Sequence, residues 1–195
     1  MEKLTQNSHA KLIRRVKGFA LFLLVVLMVR VFLFQIYVVS GNSMAPSLRN
    51  GDIVFVSKMG FPVKTEILPW EFIYTEPELN RLDIVLFENQ ENEISLKRVV
   101  GVPHEYYEIN HGKVMIESSV LEENYVPTGA ETSEPSNQFL YRFPNSPFLE
   151  MEKKGRIPPK YFLLLGDNRE YSTDSRSIGL VPLEKMRGKV IASIP

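Results

Sequence analysis

The 195-residue sequence has no cysteine. That absence removes disulfide frameworks, thiolate zinc and iron–sulfur centres, and cysteine nucleophiles, while leaving the redox compartment open. Histidine is nearly as scarce, with only His9, His104 and His111. Net charge is also missing, because 23 basic residues balance 23 acidic ones, so the total gives no support to a nucleic-acid protein held by a basic face. There is no internal repeat and no glycine-rich nucleotide-binding pattern. Gly (11) and Pro (13) stand at ordinary levels, which excludes collagen-like and low-complexity chains. With 44% hydrophobic residues the chain can bury one domain-sized core rather than two.

Charge is unevenly placed. Residues 1–17 carry Lys3, Lys11, Arg14, Arg15 and Lys17 against Glu2, so the tail is basic and the remainder mildly acidic. The run FALFLLVVLMVRVFLF, residues 19–34, follows directly and is apolar at every position except Arg30. As a helix it spans about 24 Å, and about 31 Å if continued through Val39, enough to cross a bilayer core. Arg30 and Gln35 would then snorkel toward the far headgroups. A basic flank before the span predicts residues 1–17 as a cytoplasmic tail, 18–39 as a transmembrane helix and 40–195 as an extracytoplasmic domain. A secretory signal cleaved near Val39-Ser40-Gly41 is the alternative. A buried core helix would not explain the basic flank.

Beyond the span the pattern is short β-type runs: 37–39, 53–56, 84–87, 94–100, 106–109, 114–116, 161–165 and 190–194. Asn50-Gly51-Asp52 and Asn110-His111-Gly112 fall where strands would reverse, the second predicting a hairpin over 106–116. Residues 126–159, rich in Pro, Ser, Asn, Glu and Thr, read as an irregular excursion whose aromatics (Phe139, Tyr141, Phe143, Phe148) pack back on the sheet. The body is therefore expected to be mostly β.

Without cysteine, the candidate nucleophiles are hydroxyls working with an unusual base. Ser43 lies in Ser40-Gly41-Asn42-Ser43-Met44-Ala45-Pro46-Ser47-Leu48, where Gly41 and Pro46 fix the backbone on either side, although the same residues make ordinary turns. In Ile94-Ser95-Leu96-Lys97-Arg98-Val99-Val100-Gly101, alternation puts Lys97 on the face of Val99. A lysine in apolar surroundings loses hydration of its charged form and becomes a base; a solvated Lys97–Arg98 pair on an edge strand is the alternative. Residues 165–179 run from an apolar strand into a loop dense in opposite charges and hydroxyls, enough to build a supporting hydrogen-bond shell.

Taken together, these segments resemble the bacterial type I signal peptidases, membrane-bound Ser-Lys proteases. The resemblance rests on Ser40 to Leu48, on Arg81-Leu82-Asp83-Ile84-Val85-Leu86-Phe87, on Ile94 to Pro103 and on Leu165 to Gly179, in this order after a basic tail and a single span. It implies a single N-terminal transmembrane helix followed by an antiparallel β catalytic domain, and cleavage of signal peptides from exported preproteins at the outer membrane surface, without cofactor or metal. By similarity Ser43 is the nucleophile and Lys97 the general base. Ser40 assists the Ser43 N–H in the oxyanion hole, Ser172 orients the lysine amine, and Asp174 and Arg176 form a supporting ion pair with Arg98 nearby. The implied partners are preprotein signal peptides and the lipid bilayer, not nucleic acid. A maturation or assembly factor on the same fold, without general preprotein processing, is the alternative.

One position departs from the family pattern: Gly101-Val102-Pro103-His104-Glu105 stands where Gly-Leu-Pro-Gly-Asp is usual. If the turn needs positive φ there, His104 bears a steric cost. A Ser43–His104 pairing is the rival to Ser43–Lys97, but His104 reads as a turn residue, as does His111.

Overall fold

The computed structural model describes residues 2–62, 77–143 and 145–195, with the side chains of 2–12 and 30–32 outside that description. Helix α1 runs Glu2–Phe32. Its apolar side chains from Phe19 to Val29 are exposed. Among the described residues no helix is long and apolar enough to cross a membrane, and the snorkelling expected of Arg30 falls on a side chain outside the description.

The chain leaves the helix earlier than the apolar run alone predicts. Residues Phe34–Val38, expected as the outer end of the helical span, form strand β1, paired antiparallel with β2 (Ile53–Ser57). Period 2 wins over period 3.6 here: Gln35 and Tyr37 are half-buried while Phe34, Ile36 and Val38 face out. Gln35 accordingly does not snorkel, and its Oε1 accepts from Lys58 Nζ at 3.1 Å.

The remaining elements follow as β3 (Ile84–Glu88), β4 (Ile94–Gly101), β5 (Tyr106–Asn110), β6 (Lys113–Ile116), β7 (Ser119–Val120), α2 (Gln138–Arg142), β8 (Lys154–Arg156), β9 (Tyr161–Leu165), α3 (Ser175–Ile178), β10 (Val181–Pro182) and β11 (Met186–Ile194). Seven strands form one sheet in the order β1-β2-β11-β3-β4-β9-β10, and β7-β6-β5-β8 form a second. The described pairings are antiparallel throughout, as the mostly-β reading expects. Strand β4 is apolar on both faces of its second half because it separates two cores. Val99 packs with Phe87, Phe148 and Leu164, and Val100 with Tyr107, Ile109 and Leu163. A third cluster of Val39, Met44, Leu48, Val54, Val56 and Leu86 lies between β1–β2 and the loop that joins them.

The β5–β6 hairpin turns at His111 (φ 47°) and Gly112 (φ 74°), the two successive positive φ values that a tight hairpin needs. The 126–159 excursion is largely irregular but contributes α2 and β8, which the polar composition concealed. Phe148 is buried edge-on against Phe87, with centroids 6.4 Å apart. Tyr141, expected to pack on the sheet, is instead 65% exposed, because the two-turn-or-shorter α2 has only one face against the body.

His104 adopts φ 73° in an exposed turn, its N–H donating to Ile157 O at 2.8 Å. Relief of the left-handed cost exceeds the added chain entropy of glycine, so His104→Gly is expected to raise stability by about 0.5 kcal/mol, measured by chemical denaturation.

Candidate active site

The β1–β2 connection is pinched at its base, where Val39 N–H donates to Asp52 O at 2.8 Å and Gly51 N–H to Val39 O at 2.9 Å. Inside the loop, Gly41 takes φ 87°, which lets its N–H reach Asn50 Oδ1 at 3.0 Å. Met44 and Leu48, joined by a Leu48 N–H to Met44 O bond of 2.9 Å, plug the loop into the third core cluster. Ser43 sits between the pinch and the plug, partly exposed.

Beyond β11 and β3 in the same sheet, β4 delivers Lys97. The register Val85↔Lys97 and the alternation with Val99 turn this side chain inward, where it is only 4% exposed. Its Nζ lies 3.0 Å from Ser43 Oγ and donates to Leu96 O at 2.8 Å. Burial pushes the amine down from 10.5 to about 8; the carboxylates of Asp174 and Asp167 pull the other way, and Arg176 adds to the drop. A neutral lysine keeps two N–H donors and gains a lone pair. With one donor on Leu96 O, the lone pair can accept the Ser43 O–H across the 3.0 Å gap.

The third segment builds the floor. Asn168 N–H donates to Ser43 O and Asn168 Nδ2 to Asn42 O, both at 3.1 Å, so the turn after β9 holds the serine loop by its backbone. Asp174 is fully buried and saturated: Arg176 binds it through Nε at 2.8 Å and Nη2 at 2.8 Å, and Gly166 N–H donates to Oδ2 at 3.0 Å. The Asp174–Arg176 pair read from the sequence is therefore present. Arg176 continues to Arg169 O at 2.8 Å and Ser133 Oγ at 3.1 Å.

Arg98 has a carboxylate of its own. Pointing to the opposite face of β4 from Lys97, it binds Asp167 bidentately, Nε to Oδ1 at 2.8 Å and Nη2 to Oδ2 at 2.6 Å. It also donates to Leu82 O at 2.8 Å and Ser47 Oγ at 3.2 Å, beneath the ring of Tyr125 4.1 Å away. Asp167, read from sequence only as part of a turn, is thus the partner that ties this arginine to the site. Ser172 is where the structure departs from expectation: its Oγ is buried and, among the described residues, without a hydrogen-bond partner, and the amine it was expected to orient is bonded to Ser43 and Leu96 instead. The Ser172 hydroxyl packs on Gly166: a Cβ at Gly166 would sit 2.1 Å from Ser172 Oγ and 2.5 Å from Ser43 O. Gly166→Ala is therefore expected to push the serine loop from the lysine and lower kcat/KM at least about 100-fold while the sheet persists by circular dichroism.

Ser40 is exposed and lies on the rim shared by two cavities that meet at Ser43 and Lys97. One, of about 170 Å³, is walled by Tyr37, Val39, Met44, Leu86, Ile94 and Leu96. The other, of about 360 Å³, extends to Gln90 and Phe143 and is more polar. These walls come from β1, β3, β4 and loops distant in sequence, and no local pattern marks them. His104 lines neither cavity, so the Ser–His alternative has no geometry behind it.

A hydroxyl beside a buried amine between two clefts has the parts for nucleophilic chemistry, and comparison with known proteins supplies the family. Residues 12–194 match the family model described as signal peptidase, peptidase S26. Signal peptidase I of Bacillus caldolyticus is 31% identical over 169 residues, 85% of this chain and 82% of that protein. Signal peptidase IB of Staphylococcus aureus is 26% identical over 181 residues, 92% of this chain and 87% of that protein. A crystal structure of a signal peptidase I from Enterococcus faecalis aligns with a TM-score of 0.45 at 26% identity, over 58% of this chain and 97% of that one. With nearly the whole chain matched by the family model and a relative above 30% identity, the chain belongs to the S26 signal peptidases, as an enzyme of type I.

Proposed function

We propose that this chain removes N-terminal signal peptides from exported preproteins through a Ser43–Lys97 acyl-enzyme mechanism at the outer face of the membrane. The observation that carries the reading is the 3.0 Å approach of the Lys97 amine to Ser43 Oγ in a site whose burial lets the amine give up its proton at a lower pH than a free lysine. Neutral Lys97 takes the Ser43 proton as Oγ attacks the carbonyl carbon. The oxyanion is held by the Ser43 N–H and the Ser40 hydroxyl, a reading supported by both residues lining the two cavities. Lys97 then protonates the leaving amine, and once free of that proton activates the water that releases the acyl group.

The small apolar cavity takes the residue on the acyl side, and its walls of Val39, Met44 and Leu96 set a limit on side-chain size. Tethering by the basic, apolar N-terminal helix would confine enzyme and preprotein to one plane and raise their effective concentration. Ser172, whose buried hydroxyl has no partner among the described residues and which packs with the Ser43 carbonyl around Gly166, is assigned to orient the amine.

The test is incubation of the purified full chain with a preprotein and sequencing of the new N-terminus, with Ser43→Ala as control. One new N-terminus after a small residue, absent with the control, is the expected result; an uncut preprotein, or equal cutting by Ser43→Ala, would reject the reading. The amine must be neutral to accept the proton, so kcat/KM is expected to rise tenfold per pH unit below about 8 and level off above it.

A further inference from the structure

Of the two cavities that meet at the dyad, the more polar is also the larger. It reaches from Ser43 and Lys97 to Gln90 and Phe143, and both of these also line a third cavity of about 340 Å³. The two are therefore consecutive. Their charges are ordered: Glu91 and Glu93 lie in the half next to the dyad, Arg142 and Lys185 in the half beyond Gln90. Lys185 is tied to Glu88 at 3.2 Å, whereas Arg142 ends α2, exposed, with its guanidinium 5.9 Å from the Phe143 ring.

At the junction, Gln90 Nε2 donates to Ile178 O at 3.1 Å. That bond fixes which end of the amide is which, since a flipped amide would face one carbonyl with another. Gln90 Oε1 is left buried and, among the described residues, without a hydrogen-bond partner. Buried acceptors are nearly always satisfied, and an orphan one in a cleft beside a reacting serine marks the place of a donor that arrives with a ligand. An extended peptide carries such donors at regular intervals along its backbone.

Resting on the Ser43–Lys97 reading, we infer that these two cavities form one groove for the first residues on the amine side of the scissile bond, with Gln90 Oε1 accepting a substrate backbone N–H and Arg142 favouring an acidic side chain. The acyl half has its own small apolar cavity, so the leaving half takes the polar side. Glu91 and Glu93 then stand near the amine that becomes cationic after cleavage. Gln90 acts on a backbone group and tolerates any mature sequence; Arg142 adds preference.

Peptides sharing one acyl half, with either one or six residues after the scissile bond, test this with the full chain in detergent. In Gln90→Met the ratio of kcat/KM for the long over the short peptide should fall about tenfold, the worth of one hydrogen bond to a bound donor. An unchanged ratio, or equal loss on both peptides, would overturn the assignment by making Gln90 irrelevant or merely structural. Long peptides with Glu rather than Lys at the third and fourth positions after the bond should be cut about fivefold faster by the wild type. Arg142→Glu, an exposed change that the fold can absorb, should reverse that preference; no preference in the wild type would overturn Arg142's part. A wild-type chain that cuts none of these peptides would instead overturn the dyad reading beneath the inference.

Discussion

Lys97→Met is expected to lower kcat/KM for a preprotein by about 10⁴-fold or more and, at the same time, to make the folded chain more stable. Methionine matches the lysine stem in volume but has nothing to accept the Ser43 proton. The stability gain follows from the same burial that makes the amine a base. In the unfolded chain the amine titrates near 10.5, in the folded chain near 8. Between these values the unfolded chain holds a proton that the folded chain has released, so wild-type stability rises with pH across that window. Below 8 both states are protonated and the whole penalty of burying the cation applies, about 3 kcal/mol. Chemical denaturation at pH 7 should therefore find Lys97→Met more stable than wild type by about that amount, with the difference fading toward pH 10.5. An inactive variant of unchanged or reduced stability at pH 7 would mean that the lysine is not held as a desolvated amine. Lys97→Arg should be inactive as well, since a guanidinium keeps its proton.

The second large effect is expected at Asp174, which touches no substrate. Asp174→Ala leaves the buried Arg176 guanidinium without its counter-charge and removes the acceptor for Gly166 N–H and the cap of α3. Breaking one half of a buried pair costs about 3–5 kcal/mol, so a fall of this size is expected in denaturation experiments. Asp174→Asn keeps the shape and isolates the electrostatic part. The Asp174 carboxylate pulls the Lys97 amine upward; its loss should move the midpoint of the pH–activity profile below 8. A midpoint that moves up would contradict the order of forces on the amine.

The parts of the site visible in the sequence are those set by local pattern. Alternation in Ile94–Gly101 placed Lys97 with Val99, and both are buried on one face. Asn110-His111-Gly112 gave its hairpin through residues that tolerate positive φ. The dyad itself is not local: Ser43 and Lys97 are 54 residues apart, and only the resemblance to a family joined them before β3 and β4 were seen to carry one to the other. Errors arose where two local rules compete. Residues 34–38 continue an apolar run that reads as helix, but they also alternate, and an available partner strand decided between the two. The same alternation sends Arg98 to the face opposite Lys97, but its partner, Asp167, lies 69 residues on and no local pattern names it. The cavity walls and the orphan acceptor of Gln90 are assembled from four or more segments, and no periodicity encodes them.

The most direct test of the central claim is the titration of one nitrogen. NMR of lysine labelled with ¹³C at Cε, compared between wild type and Lys97→Met to identify the resonance, reports the charge on Lys97 in the resting enzyme. A midpoint at about 8, well separated from the other lysines, is the expected result. A resonance that titrates near 10.5 would show a cation resting beside Ser43 at neutral pH, and would contradict the account.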